Sequence, residues 1–296
     1  MPETLTSCPV CNGNHLQSYL TCTDFTVSKE QFSLSKCNDC GFIFTNPRPN
    51  QHEIGKYYQS DEYISHTNSS RGIQNKLYKI ARSMAIKSKL KLINSLSVTE
   101  KNLLDYGCGT GEFLAATKNN GWTAQGMEPD PGARQQGINN HQLKVSSPDD
   151  LHLLAHNSID VITLWHVLEH VHLLKETLQQ FNRALKPNGH LIIAVPNAES
   201  NDAAVYGKAW AAYDVPRHLY HFTLPVMRRL MSDHGFKLQS VKGMFFDPFY
   251  ISLLSEKYKK GSVNPISAMW NGAITNLKGA RDVQKHSSLL YTLRKV

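Results

Sequence analysis

The 296-residue chain has no run of eighteen or more apolar residues, so no segment is expected to cross a membrane as a helix. Its opening stretch, Met1 to Val10, carries Glu3 and neither a basic lead nor an apolar core, so no secretory signal is expected. Cysteine is scarce: six residues, not spread as a disulfide framework requires. Four form two CxxC pairs, Cys22 stands alone, and Cys108 lies in a glycine-rich turn. Reduced thiols in a cytoplasmic protein, four of them on a metal, explain this placement better than secreted disulfides. Charge is sparse at 19% against 41% hydrophobic residues, which excludes collagen-like, coiled-coil and wholly disordered chains and leaves enough for a sizeable core. Thirty-two basic residues against 24 acidic ones give a formal charge of +8. That excess permits contact with nucleic acid or an anionic membrane without requiring it.

The N-terminal segment reads Cys8-Pro-Val-Cys11, then twenty-five residues, then Cys37-Asn-Asp-Cys40. Each CxxC turn brings two thiolates to one point, and two facing knuckles make a tetrahedral sulfur site that suits one structural zinc ion. Cys22 is a weak substitute ligand. A closed four-sulfur site has no open position for chemistry, so the metal is expected to hold together a small lobe that lacks its own core. The alternating run from Glu30 to Lys36 predicts a ribbon strand. Next come the aromatic residues Tyr57, Tyr58 and Tyr63, which either pack the ribbon onto the rest or line a cleft. From Arg71 to Lys91 the pattern is helical and basic, with Arg71, Lys76, Lys79, Arg82, Lys87, Lys89 and Lys91 and no acidic residue. A solvated helix face and a docking face for a phosphorylated, nucleotide-linked or membrane-bound substrate both fit.

From Lys101 onward strand-like and helix-like segments alternate, which implies a parallel sheet covered on both faces. Strands are expected at Lys101–Tyr106, Trp122–Met127, near Gln142–Val145, at Ile159–Leu164 and at His190–Val195. The first leads directly into Gly107-Cys-Gly-Thr-Gly111 and then a helix. Glycines there let a ligand approach the backbone, and the helix start offers free N–H groups. The GxGxG spacing differs from the GxGxxG fingerprint that cradles a dinucleotide pyrophosphate. Glu128, just past the second strand, is placed to accept the two hydroxyls of a ribose.

Asp105–Gly111 (DYGCGTG), Glu128 and Ile159–Val171 (IDVITLWHVLEHV) resemble the class I S-adenosylmethionine-dependent methyltransferases. Within that family they are most similar to the small-molecule group with HVLEH after the fourth strand. The cysteine lobe resembles the zinc-bearing head of some bacterial members, including sugar C-methyltransferases. The resemblance implies an α/β, Rossmann-like, seven-stranded, mostly parallel sheet with helices on both faces, preceded by a small zinc ribbon. It implies three regions: the ribbon at 1–45, linker and helices at 46–98, and the methyltransferase core at 99–296. S-adenosylmethionine would lie with its methionyl part against Asp105, Gly107, Gly109 and Gly111, and its ribose on Glu128. Asp149, preferred over Asp150, and the backbone of Leu151 would meet the adenine, with Trp165 stacking beside it.

His166, Glu169 and His170 follow the fourth strand in the order H-V-L-E-H, which is not the zinc-protease H-E-x-x-H. If the segment is helical, His166 and His170 share a face. A metal, direct contact with substrate, and capping of the sheet edge are all open for this trio. The stretch 197–221 is too long for a simple connection and reads as a substrate lid. His166, His218 and His221 are the candidate general bases, His218 first, and Tyr213, Asp214 and Arg217 the candidate substrate-orienting residues. Strands are expected at Lys237–Lys242 and Ser287–Arg294, with a helical insertion at 245–285 between them that is a packing or dimerisation element or a membrane contact. The expected activity is methyl transfer to an oxygen or carbon of a small metabolite, anionic or nucleotide-sugar-like. An RNA methyltransferase docking through ribbon and basic helix, and a non-catalytic scaffold, are the competing accounts.

Overall fold

A computed structural model of the chain describes residues 2–59 and 73–296, with side chains from Arg82 onward in the second stretch. Tyr63 and Arg71 lie outside the described residues.

Strands β1 (Leu16–Thr23), β2 (Gln31–Cys37) and β3 (Ile43–Thr45) form an antiparallel meander in which Leu16 faces Cys37 and Leu34 faces Thr45. Helix α1 (Ile73–Asn94) leads to β4 (Asn102–Tyr106), then α2 (Glu112–Asn119), β5 (Thr123–Met127), α3 (Pro131–His141) and β6 (Lys144–Ser146). There follow β7 (Ile159–Trp165), α4 (Leu174–Ala184), β8 (Leu185–Pro196), α5 (Asn201–Tyr206), β9 (Tyr220–His221) and α6 (Leu224–Asp233). The chain closes with β10 (Phe236–Gly243), α7 (Asp247–Lys260), α8 (Pro265–Arg281) and β11 (Ser288–Lys295).

The main sheet has the order β10-β11-β8-β7-β4-β5-β6. Its strands pair in parallel from β8 to β6, while β11 runs against both neighbours. Central β7 (IDVITLW) is buried from Ile159 to Leu164, as a strand covered on both faces must be. Helix α4 seals one face with Leu174, Leu178 and Phe181 at i, i+4 and i+7. The expected α/β architecture is therefore the one observed, down to a small antiparallel sheet in front of it.

The segment after β7, left open between helix and turn by its sequence, is not an α-helix: His166 has φ 58°, which breaks helical continuation, and only Leu168–His170 form a single 3₁₀ turn. The N-terminal lobe packs into the core of the larger domain. Two-residue strand β9 pairs with β3, setting His221 against Ile43 and Tyr220 against Phe44, and so completes the lobe's sheet. Cys8, Val10, Cys37, Phe42 and Phe44 belong to the same buried cluster as Tyr220, Phe222 and Leu104. Phe42 sits 5.7 Å from Tyr220 and 5.6 Å from Phe222, ring to ring. The cause is size: about 45 residues cannot bury enough apolar surface alone, so the lobe shares the larger core.

Candidate active site

Parallel strands bring their carboxyl ends to one edge, where open α/β sheets hold ligands. At the end of β4 the turn Gly107–Gly111 doubles back sharply. Gly107 has φ 78° and a Cβ there would stand 2.4 Å from Val167 Cγ2, so only glycine fits. The N–H of Gly109 donates to Glu128 Oε2 at 2.8 Å, and the N–H of Asp130 to Oε1 at 3.0 Å. The carboxylate at the end of β5 thus locks the turn at the end of β4. Burial raises the Glu128 pKa, and these two N–H bonds work against the rise. Asp105 is 2% exposed and accepts a 2.6 Å bond from Thr163 Oγ1. Burial pushes its pKa up to about 6, against the pull of Thr163 and Lys89.

Trp165, at the end of β7, is half-buried and meets Phe113 edge to face at 5.5 Å. Leu151 is buried and Asp149 exposed, in the turn after β6, where Ser147 Oγ donates to Asp149 Oδ2 at 3.0 Å. Lys89 of α1 is one of seven basic residues in the run from Arg71 to Lys91. Its ammonium lies 4.3 Å from the Trp165 ring centre and 5.5 Å from that of Phe113, and it faces Asp105 and Asp247. Burial lowers its pKa. Nothing in the local pattern singled it out, because the partners come from four different elements.

The three histidines separate by environment. His166 Nε2 lies 3.2 Å from Asp247 Oδ2, and Nδ1 lies 3.5 Å from Glu169 Oε1. Burial would lower its pKa, but the two carboxylates raise it to about 10. It is an imidazolium at neutral pH. His221 is buried, and burial holds its pKa well below the usual histidine range. Thr45 Oγ1 donates to the His218 carbonyl at 2.7 Å, so His221 Nε2, 3.2 Å away, must donate to that hydroxyl. His218 donates from Nδ1 to the Ala212 carbonyl at 2.8 Å, and its Nε2 has no backbone partner among the described residues. That nitrogen is 4.0 Å from Glu169 Oε1 and 3.9 Å from Asp214 Oδ2.

Glu169 is fully buried, and its two oxygens have no hydrogen-bond partner among the described residues. Burial would raise its pKa, but the neighbouring His166 holds it below the usual value. His170 Nδ1 is 3.0 Å from both the Arg217 carbonyl and Tyr58 Oη, and burial lowers its pKa to about 4. A Glu169 oxygen and one ring nitrogen each from His170 and His218 lie within 4.8 Å of one another, a donor set that also suits a cation.

The expected substrate-orienting residues Tyr213, Asp214 and Arg217 line one small cavity, together with Cys22, Trp210 and Tyr258. Arg217, 1% exposed, donates Nε and Nη2 to Asp214 at 3.0 and 2.6 Å, Nη2 to Asp24 Oδ1 at 3.0 Å, and Nη1 to the Tyr57 carbonyl at 2.8 Å. Its fork is committed to protein groups and is not available to an anionic ligand. Tyr213 is buried between Trp210 and His221. Asp214 keeps one edge half-exposed.

In the N-terminal lobe the Sγ atoms of Cys8, Cys11, Cys37 and Cys40 lie within 4.8 Å of one another, with Cys8–Cys40 and Cys11–Cys37 at 3.6 Å. Tetrahedral zinc with ~2.3 Å bonds separates its sulfurs by about 3.8 Å. The N–H groups of Val10 and Gly13 point at the Cys8 and Cys11 sulfurs, each at 3.4 Å, as they would toward thiolates. The residues present fit the metal.

A parallel sheet with this strand order, a glycine turn locked by a strand-end glutamate, and acidic and aromatic side chains along one edge define a class I S-adenosylmethionine-dependent methyltransferase fold. The chain belongs to the methyltransferase domain family, whose model matches residues 78–241. A ubiquinone biosynthesis O-methyltransferase from Saccharophagus degradans is 27% identical over 165 residues, covering 51% of this chain and 70% of that protein. Its counterpart from Pectobacterium atrosepticum is 27% identical over 176 residues, covering 54% and 70%. The crystal structure of a SAM-dependent methyltransferase from Archaeoglobus fulgidus superposes with a TM-score of 0.51 at 18% identity, over 72% of this chain and 94% of that one, and bears on the fold alone.

Proposed function

We propose that the protein transfers the methyl group of S-adenosylmethionine to an oxygen or carbon of a small metabolite. The observation that carries this is Glu128, held across the glycine turn where a nucleoside's ribose would lie. The O-methyltransferases among its relatives support an oxygen acceptor. The cofactor supplies an activated methyl when bound, so the protein's work is alignment, exclusion of water and removal of one proton.

Asp105 and the glycine turn would hold the methionyl amino group and backbone, and Lys89 the carboxylate, since its ammonium faces Asp105 from a half-buried position. Asp149, Leu151 and Trp165 would border the adenine. Asp105 also sets a pH dependence. The fold raises its pKa, so the ionised form weakens the fold as pH rises from about 4 through 6, and a cation bound beside the carboxylate counters that loss. S-adenosylhomocysteine affinity is therefore expected to be about tenfold weaker at pH 5 than at pH 7. Calorimetry across that range checks it; a flat profile contradicts the assignment.

Of the three histidines, His218 is the base in this account. Its Nε2 has no backbone partner among the described residues, whereas His166 is already protonated and His221 spends its Nε2 proton on Thr45. His218→Ala is expected to lower turnover about 10²–10⁴-fold with S-adenosylhomocysteine affinity near wild type. Retention of full turnover with a methyl-accepting substrate removes His218 from the chemistry.

The cysteine lobe of residues 1–45 would serve as a zinc-fastened wall on the acceptor side. One zinc per chain is expected by elemental analysis, lost when Cys37 and Cys40 are replaced. A quadruple cysteine variant that keeps its zinc contradicts the assignment.

A further inference from the structure

Among the described residues, fifteen large apolar side chains are exposed, and eight of them fall between Phe245 and Leu277. Helix α8 presents two contrasting faces. Ala268, Gly272, Thr275 and Gly279 are buried, and Gly272 lets Phe249 of α7 come close: a Cβ there would stand 2.6 Å from its ring. The other face carries Ile266, Met269, Trp270 and Leu277, which are 84%, 52%, 68% and 69% exposed. Spaced at i, i+3, i+4 and i+11, they form one outward apolar stripe on a helix whose inner face is already satisfied. Phe245 and Phe246, at 59% and 49% exposure, extend the patch at the start of α7.

Charge decides what such a stripe can meet. From Asp247 to Arg281 the hairpin has five basic residues against two acidic ones, Asp247 and Glu256, and Lys260 is paired with Glu256 at 2.8 Å. A second copy of this chain would set that net positive charge against itself across a two-fold axis, which opposes an isologous dimer. A surface with an apolar interior beneath negative headgroups satisfies both features, and an indole at the boundary suits the same setting. We propose that the α7–α8 hairpin docks on the headgroup region of an anionic lipid bilayer. The patch adjoins the acceptor side of the site, since Asp247, the first residue of α7, contacts His166. Taken with the methyl-transfer function proposed above, this makes the acceptor class amphipathic molecules held in a membrane.

The test is co-sedimentation of the full-length protein with vesicles of phosphatidylcholine alone and of phosphatidylcholine mixed with phosphatidylglycerol. Tryptophan emission gives a second readout: Trp122 and Trp210 are buried and Trp165 half-buried, whereas Trp270 is exposed. Expected are binding to the mixed vesicles that weakens with added salt, a blue shift of Trp270, and loss of at least about tenfold in partitioning for Trp270→Glu and for Arg281→Glu. S-adenosylhomocysteine affinity should be unchanged in both variants, so failure to bind vesicles and failure to bind cofactor are read separately. Absence of binding to anionic vesicles overturns the proposal, as does equal binding to neutral ones. A mass doubling that Trp270→Glu abolishes, without vesicle binding, overturns it in favour of a second copy.

Discussion

Replacing Arg217 with methionine is expected to cost about 3–5 kcal/mol of folding stability, because it leaves the buried Asp24 carboxylate, and the half-exposed one of Asp214, without their cation. Asp24 and Arg217 are 0% and 1% exposed and stand 193 residues apart in sequence. Their 3.0 Å bond joins the loop after β1 to the segment before β9. Burial pushes the Asp24 pKa up, but the Ser28 N–H bond and Arg217 hold it below its ordinary value, so its contribution is present at neutral pH and is lost on acidification through the carboxylate range. The chain from Asp214 to His218 is further tied by the bond from the His218 N–H to the Asp214 carbonyl at 3.0 Å. Loss of the guanidinium should therefore loosen the acceptor side first. Urea unfolding should show a lower midpoint, and an Asp24→Asn/Arg217→Met cycle should show a coupling well above the ~0.5 kcal/mol seen for independent sites. Additive effects would mean that Arg217 binds something other than the lobe.

The second large effect is expected at Glu128. Glu128→Ala removes the acceptor that holds the Gly109 and Asp130 N–H groups and the proposed partner of two ribose hydroxyls. Hydrogen bonds to a charged group contribute about 1.5–3 kcal/mol each, so two lost to the ligand weaken S-adenosylhomocysteine binding by at least about 100-fold. Glu128→Gln keeps the size and one acceptor oxygen and should fall between. Zinc content and the unfolding of the N-terminal lobe should not change, because no bond of Glu128 reaches that lobe. A Glu128→Ala variant that binds with wild-type affinity would show that the ribose lies elsewhere.

What the sequence made legible was local. Two cysteines three apart, glycines two apart, and an acid just past a strand set their chemistry within a few residues, and the structure brings each set together. The alternation of strands and helices likewise fixed the sheet, because periodicity reports which side of an element is buried. What stayed hidden was made by distance. Arg217 sat in a compact D-V-P-R-H run and looked like an anion clamp; its charge is consumed by Asp214 nearby and by Asp24 from another part of the chain. His166 looked like a base until Asp247, from the far insertion, turned it into a cation. Lys89 gained its place from Trp165 and Phe113, and β9 is too short to show any alternation at all.

The central claim is that this edge of the sheet holds a nucleoside sulfonium rather than a dinucleotide. Isothermal calorimetry of the purified protein against S-adenosylhomocysteine and, separately, NAD tests it most directly. The account predicts one saturable site for S-adenosylhomocysteine, weakened in Glu128→Ala, and no heat with NAD. Saturable binding of NAD with none of S-adenosylhomocysteine would contradict it.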